Sequence, residues 1–281
     1  MLERSVVKRA LPHLFLAVAI FILVFPLWLV FTASTHTLQE ILHAPMPVLP
    51  GSHLLENYAR ALFAGTGNLG AGAWTMMMNS LIMAVGIAVG KIVISLLAAF
   101  AIVFFDFRLR AFCFWSIFVT LMLPVEVRIM PTYKVIADLH MLNTYWGLIL
   151  PMIVSATAVF LFRQFFLTLP REMAEASQID GAGPLRFFGS ILVPMTRTPI
   201  AAMFVIQFIY GWNQYLWPLL ITTREKYYTL LIGINRMLTG ADTQIEWQIV
   251  MATTLLAMLP PVIVVIVMQK QFVTGMTDVE K

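Results

Sequence analysis

RQFFLTLPREMAEASQIDGAGPLRFFGSILVPMTRT, residues Arg163 to Thr198, is the longest interval of regularly spaced charge in the chain, and apolar runs close it on both sides. The whole sequence of 281 residues is 60% hydrophobic and only 11% charged, with a mean hydropathy of +0.87. A soluble protein of this size needs far more polar surface. Several runs reach the roughly 20 apolar residues that cross a hydrocarbon core about 30 Å thick. The polar interval is therefore a solvated connection between two membrane spans, and the fold class is all-α and polytopic.

Six transmembrane helices are expected, at about 12–34, 74–105, 111–131, 145–166, 199–221 and 248–272. The first follows Arg4, Lys8 and Arg9 as a signal peptide would, but its apolar region is too long and no A-x-A site follows, so it reads as an uncleaved anchor. Lys and Arg concentrate at the inner ends of spans. With the N-terminus inside, inner segments hold Arg4, Lys8, Arg9, Arg108, Arg110, Arg163, Arg171, Arg186, Arg197, Lys270 and Lys281; outer segments hold only Arg60, Arg128, Lys134, Arg224, Lys226 and Arg236. Both termini and the stretch 163–198 are thereby expected in the cytoplasm. The largest outer segment, about Thr35 to Ala73, is turn-rich and too short for an enzyme domain, so residues 1–281 are expected to be one unit.

Several motifs mislead. Gly65-Thr-Gly67-Asn-Leu-Gly70 satisfies GxGxxG, but no strand precedes it and a membrane span follows, which makes it a loop. Gly86-Ile-Ala-Val-Gly90-Lys91 has three residues between its glycines where a phosphate-binding loop has four, and Ile92 replaces Ser/Thr. Within an apolar span it reads as a close helix-packing face, with Lys91 snorkelling or pairing inside the bundle. The net charge of +4 comes without any Lys/Arg cluster interleaved with aromatics, which excludes nucleic acid as a partner. The single cysteine, Cys113, excludes a disulfide framework. The five histidines lack metal-site spacing, so no metal is expected. Without a nucleophile elbow or catalytic carboxylate pair, the chain is read as a transporter part rather than an enzyme.

Within the opening stretch, Thr168-Leu-Pro170 suits a helix start, because a proline in the first turn sacrifices no intrahelical donor. Glu172 and Glu175 follow early, where the helix dipole favours acids, and lie on one face with Gln178. Asp180-Gly-Ala-Gly-Pro184 breaks the helix, its glycines permitting backbone angles other residues resist. A second helix is expected from Pro184, carrying Phe187, Phe188, Ile191 and Leu192 as far as Pro194. A small, acidic first helix suits a partner's groove; it suits a solvated hairpin equally well.

Glu175-Ala176-Ser177, Asp180-Gly181-Ala182, Ile191 and Pro194 resemble the EAA loop of binding-protein-dependent ABC importer permeases. Two positions depart: Ser177 stands where a second alanine is usual, and Val193 where leucine is usual. The resemblance implies a cytoplasmic coupling helix with Glu175, Ala176, Ser177, Asp180, Gly181, Ala182 and Pro194 as ATPase-coupling positions. It extends through His140 to Pro151 and Tyr210 to Pro218, which are similar to the carbohydrate-type permeases. Within that group, MLPVEVRIMP (Met122 to Pro131), FLFRQFF (Phe160 to Phe166) and FIYGWNQYLWPLL (Phe208 to Leu220) resemble the branch that imports phosphorylated glycerol. The implied partners are a homologous second permease in a heterodimer, two ATPase subunits and an external substrate-binding protein, in a bacterial inner membrane. The implied solute is sn-glycerol-3-phosphate or a glycerophosphodiester, with another sugar or polyol as the alternative. No cofactor is expected on this chain; ATP and magnesium belong to the partner ATPase.

Two groups are candidates for the substrate pathway. Glu126 and Arg128 follow Leu123-Pro124 at the outer end of the third span. Charges at membrane depth face a cavity or a partner, and Arg128 offers a planar donor array to a phosphate, with Glu126 positioning it; an interfacial anchoring pair fits as well. Trp212, Asn213, Gln214 and Tyr215 interrupt the fifth apolar run and should point into the bundle, toward either the solute or the second permease. A secondary transporter, the rival from another class, needs intramembrane acids that the spans lack apart from Glu126.

Overall fold

The computed structural model describes residues 6–66, 69–120, 125–170, 172–239 and 244–277. In chain order the helices are α1 (Val6–Ser34), α2 (Leu38–Leu42), α3 (Leu54–Phe63), α4 (Ala73–Phe104), α5 (Arg110–Val119), α6 (Val125–Asp138), α7 (Tyr145–Ile149), α8 (Ala156–Leu167), α9 (Glu172–Ile179), α10 (Pro184–Phe187), α11 (Val193–Met195), α12 (Arg197–Trp212), α13 (Leu216–Ile221), α14 (Leu230–Thr239) and α15 (Trp247–Thr277). Among the described residues the only extended pairing is an isolated bridge between Thr66 and Leu69, inside the Gly65 loop; Gly67 and Asn68 lie outside them.

The all-α expectation holds. Among the described residues Leu11–Ser34, Ala73–Phe104 and Trp247–Gln269 are each long and apolar enough to cross a membrane, and two bent pairs bring the number to five where each pair counts as one span. The bends have local causes. Pro151 lies in a 3₁₀ turn (Leu150–Met152) between α7 and α8, whose axes differ by 50°. Its ring removes one backbone donor from the helical ladder. Ser155 then restarts the helix by accepting the Ala158 amide at 3.2 Å. Where a third span was expected at 111–131, the chain forms two helices, α5 with 10 residues and α6 with 14. Leu123 and Pro124, the expected breakers, lie outside the described residues.

The helices form two compact units, 1–75 with 233–258 and 76–232 with 259–281. In the first, a polar knot fixes the exit of α1. Asn57 Nδ2 donates to the Ser34 and His36 carbonyls, both at 2.9 Å, and the Gly51 amide donates to Thr35 Oγ1 at 2.7 Å. Buried polar groups persist only when paired in this way. Thr37 and Glu40 form a reciprocal capping box on α2. Both hydrogen bonds from Thr37 hold the Glu40 carboxyl below the usual carboxylate range. The apolar side chains of α1 from Leu11 to Trp28 are largely exposed, as a lipid-facing span requires.

The second unit packs around α4, whose two ends carry separate cores. Met83 and Ile87 join Ile129, Ile136, Leu148, Met152, Trp217 and Ile221 at one end. Ile92, Leu96, Ala99 and Phe100 join Ala158, Phe162, Phe166, Phe187, Leu192 and Met203 at the other. Lipid gives helices little hydrophobic reason to associate, so small residues that permit close contact matter most. Gly86 and Gly90 do this: a Cβ on Gly86 would sit 2.7 Å from Ile149, and one on Gly90 2.5 Å from Ile153. The expected packing face is present.

Candidate functional site

Helix α9 opens after Pro170, whose carbonyl accepts the Met173 amide at 3.3 Å; Arg171 lies outside the described residues. Glu172, Glu175, Ala176, Gln178, Ile179 and Asp180 are all exposed, Ile179 to 86%. Met173 and Ala174 on the other side are half-buried.

The end of α9 follows from one glycine. Gly181 has φ +75°, the left-handed region that L side chains resist. That conformation turns the Ala182 amide back to the Ser177 carbonyl at 2.9 Å and the Gly181 amide to the Gln178 carbonyl at 3.0 Å. These two bonds make a Schellman cap, which satisfies carbonyls the helix end leaves bare. Gly183 does not share the role; at φ −69° it is extended and precedes α10.

Beyond the cap the second helical segment runs Pro184–Met195, ending one residue past the expected Pro194. After α10 a π turn (Phe188–Leu192) leads into α11, with Pro194 in its first turn. A wide turn accommodates the missing proline donor, as kinks of this kind do. Thr196 Oγ1 donates to the Leu192 carbonyl at 2.6 Å, and the two halves differ by 75°.

The hairpin is bolted to the spans by aromatics. Phe187 and Leu192 are buried in the core formed with α4, α8 and α12. Phe100 on α4 lies 5.0 Å from Phe188, and Phe104 lies 5.3 Å from Phe187, ring centre to ring centre. Interiors this dense transmit displacement instead of absorbing it. Glu175, Ala176, Asp180 and Gly181 thus share an exposed tip, whereas Ser177 is buried with its Oγ lacking a hydrogen-bond partner among the described residues. Ala182 and Pro194 are half-buried, Pro194 beyond the π turn at the base.

The pathway candidates differ in their surroundings. Arg128 is exposed near the start of α6; the side chain of Glu126 lies outside the described residues. Helix α12 ends at Trp212, which is 3% exposed and stacked 5.9 Å from Phe208. Asn213 is exposed after it, Gln214 Nε2 donates to the Tyr210 carbonyl at 3.2 Å, and Tyr215 is 37% exposed.

Two polar constellations have partners that the sequence did not name. Lys91 pairs inside the bundle, donating to Gln207 Oε1 at 2.9 Å. Gln207, a lone amide in an apolar run, was the available signal. The other is Asn143, itself left-handed at φ 56°. Its Oδ1 accepts the Thr223 and Arg224 amides at 2.7 and 3.0 Å, while Tyr145 donates to Asn79 Oδ1 at 2.7 Å. Among the described residues no three His, Cys, Asp or Glu side chains converge as a metal site would require.

Residues 91–278 match the model of the binding-protein-dependent transport system inner membrane component family. The sn-glycerol-3-phosphate transport system permease protein UgpE of Brucella melitensis is 53% identical over 282 residues, covering 100% of both chains. The proteins of that name from Rhizobium meliloti and Escherichia coli are 52% and 54% identical, over 100% and 96% of this chain. Among solved structures, a bacterial ABC transporter involved in importing the acidic polysaccharide alginate superposes with a TM-score of 0.83. It covers 97% of this chain and 99% of its own at 19% identity, a likeness of fold.

Proposed function

This chain belongs to the family of inner membrane components of binding-protein-dependent transport systems, and we propose that it is the permease subunit through which an ATP-driven importer passes sn-glycerol-3-phosphate or a related glycerophosphodiester. The observation that carries this reading is the full-length identity of 53% to permeases named for that solute. The subunit works beside a homologous second permease, two copies of an ATPase and an external binding protein, with both termini and α9 in the cytoplasm. ATP and magnesium are held by the ATPase, and this chain contributes the coupling surface.

The exposed tip of α9 seats in a cleft of the ATPase, where Glu175 and Ile179 supply charge and apolar contact. Closure of the ATPase pair pulls the tip. The displacement reaches α4 through Phe187 and Phe188 against Phe100 and Phe104, and α12 through the bend at Thr196. A partner drives such a change only through its different affinity for the inward- and outward-facing states. On the outer side Arg128 is the candidate phosphate contact, with Glu126 positioning it, and Asn213 and Tyr215 face the pathway or the second permease.

The test is uptake of labelled sn-glycerol-3-phosphate by the complete complex in proteoliposomes, against labelled maltose and glycerol. Uptake of the phosphate ester alone is expected; uptake of a neutral sugar instead would reassign the solute. Near-normal uptake by both Arg128→Gln and Arg128→Lys would remove Arg128 from the pathway.

A further inference from the structure

Lys91 lies midway along α4 and is only 6% exposed. Its Nζ donates to Gln207 Oε1 at 2.9 Å and sits 3.6 Å from the centre of the Tyr210 ring. Both partners come from α12 and both are neutral. Among the described residues, Lys91 and Arg128 are in no ion pair with a carboxylate. Holding an ammonium at this depth is costly, and such groups are kept where function needs them. For packing alone, apolar side chains of similar volume serve as well or better.

We propose that Lys91 is a stationed cation on the transport route, parked against Gln207 and Tyr210 in this conformation and released to the phosphate group of an anionic solute in transit. The inference rests on the proposed solute class. An amide oxygen and a ring face satisfy an ammonium without neutralising it. Phosphate oxygens make shorter and stronger charge-assisted bonds, so an arriving phosphate displaces them. A carboxylate in the place of Gln207 would pair permanently and repel the solute. Two cations, Arg128 and Lys91, give a phosphate successive favourable positions, while the neutral partners let it leave by retaking the ammonium.

The experiment uses the complete complex in proteoliposomes and measures sn-glycerol-3-phosphate uptake per assembled complex, quantified from the co-purified ATPase. Lys91→Arg should keep uptake within about threefold, and Lys91→Met should lose about tenfold or more, as deletion of one charge-assisted contact does. The double variant Lys91→Met with Gln207→Leu separates charge from packing. Replacing both partners of a buried polar pair by apolar groups restores packing, so a structural role predicts rescued uptake, whereas a transport role predicts continued loss. Normal uptake by Lys91→Met, rescue in the double variant, or equal loss in Lys91→Arg and Lys91→Met overturns the proposal. Absent uptake by the unsubstituted complex would instead defeat the assignment of solute.

Discussion

Placing a serine at Gly181 and, separately, at Gly183 isolates the backbone conformation on which the α9 tip depends. A Cβ at either position meets nothing within 4 Å, so neither substitution clashes. Gly181 differs by its φ of +75°, where an L residue costs about 1–2 kcal/mol. That cost shifts the balance between capped and frayed α9 by roughly 5- to 30-fold. Gly183 precedes α10 with φ −69° and ψ 164°, a position where serine is a better N-cap than glycine. Hydrogen exchange at the Ala182 amide reads the cap directly, because that amide bonds the Ser177 carbonyl at 2.9 Å. Gly181→Ser should speed exchange by roughly 5- to 30-fold and lower ATPase stimulation by the liganded binding protein. Gly183→Ser should leave both unchanged, and Gly181→Asn should fall between, since asparagine tolerates the left-handed region. Equal effects of serine at the two positions would refute the cap as the origin of the tip's shape.

Phe187→Ala removes a ring from the core that ties the hairpin to α4 and should cost about 3–5 kcal/mol; thermal unfolding in detergent checks it, with uncoupled ATPase activity in the protein that remains folded. Gly90→Ala brings a Cβ to 2.5 Å from Ile153 Cγ2 and 2.9 Å from its Cβ and should cost about 1–3 kcal/mol by overpacking, a loss that Ile153→Ala should reverse in part, since it removes only the nearer of the two contacts. Asn143→Ala removes the acceptor for the Thr223 and Arg224 amides and should cost about 1–3 kcal/mol, seen as faster protease cleavage near Arg224. For Glu40 the folded carboxyl lies below its ordinary value, so the α2 cap contributes fully above that ordinary value and fades as the pH falls through the lowered one. The protection factor of the Thr37 amide, its exchange measured against the unstructured rate at the same pH, should therefore fall on acidification, because that amide donates to the Glu40 carboxylate, and Glu40→Gln should flatten the response.

The long spans were legible because hydropathy alone specifies them: α1, α4 and α15 lie close to where their apolar runs placed them. The tip of α9 was legible for a local reason, since a glycine after an acidic helix encodes both a dipole preference and a left-handed stop. The π turn over Phe188–Leu192 was not, because no residue pattern distinguishes a five-residue hydrogen-bond register from a four-residue one. Pro194 marked the helix end to within one residue, since the segment stops at Met195 and bends by 75° into α12. Trp212 to Tyr215 looked like one polar cluster; the end of α12 at Trp212 buries that ring and leaves Asn213 exposed. The Lys91–Gln207 pair spans 116 residues and the Asn143–Thr223 clamp spans 80, distances over which helical periodicity carries no information.

The role proposed for the α9 tip is to be the surface on which the ATPase acts. A photocrosslinking amino acid at position 179, where the native side chain is 86% exposed, tests it most directly in the assembled importer. A crosslink to the ATPase subunit whose yield changes when ATP binds is expected. An intact, transport-competent complex in which position 179 crosslinks only to lipid or to the second permease would contradict it.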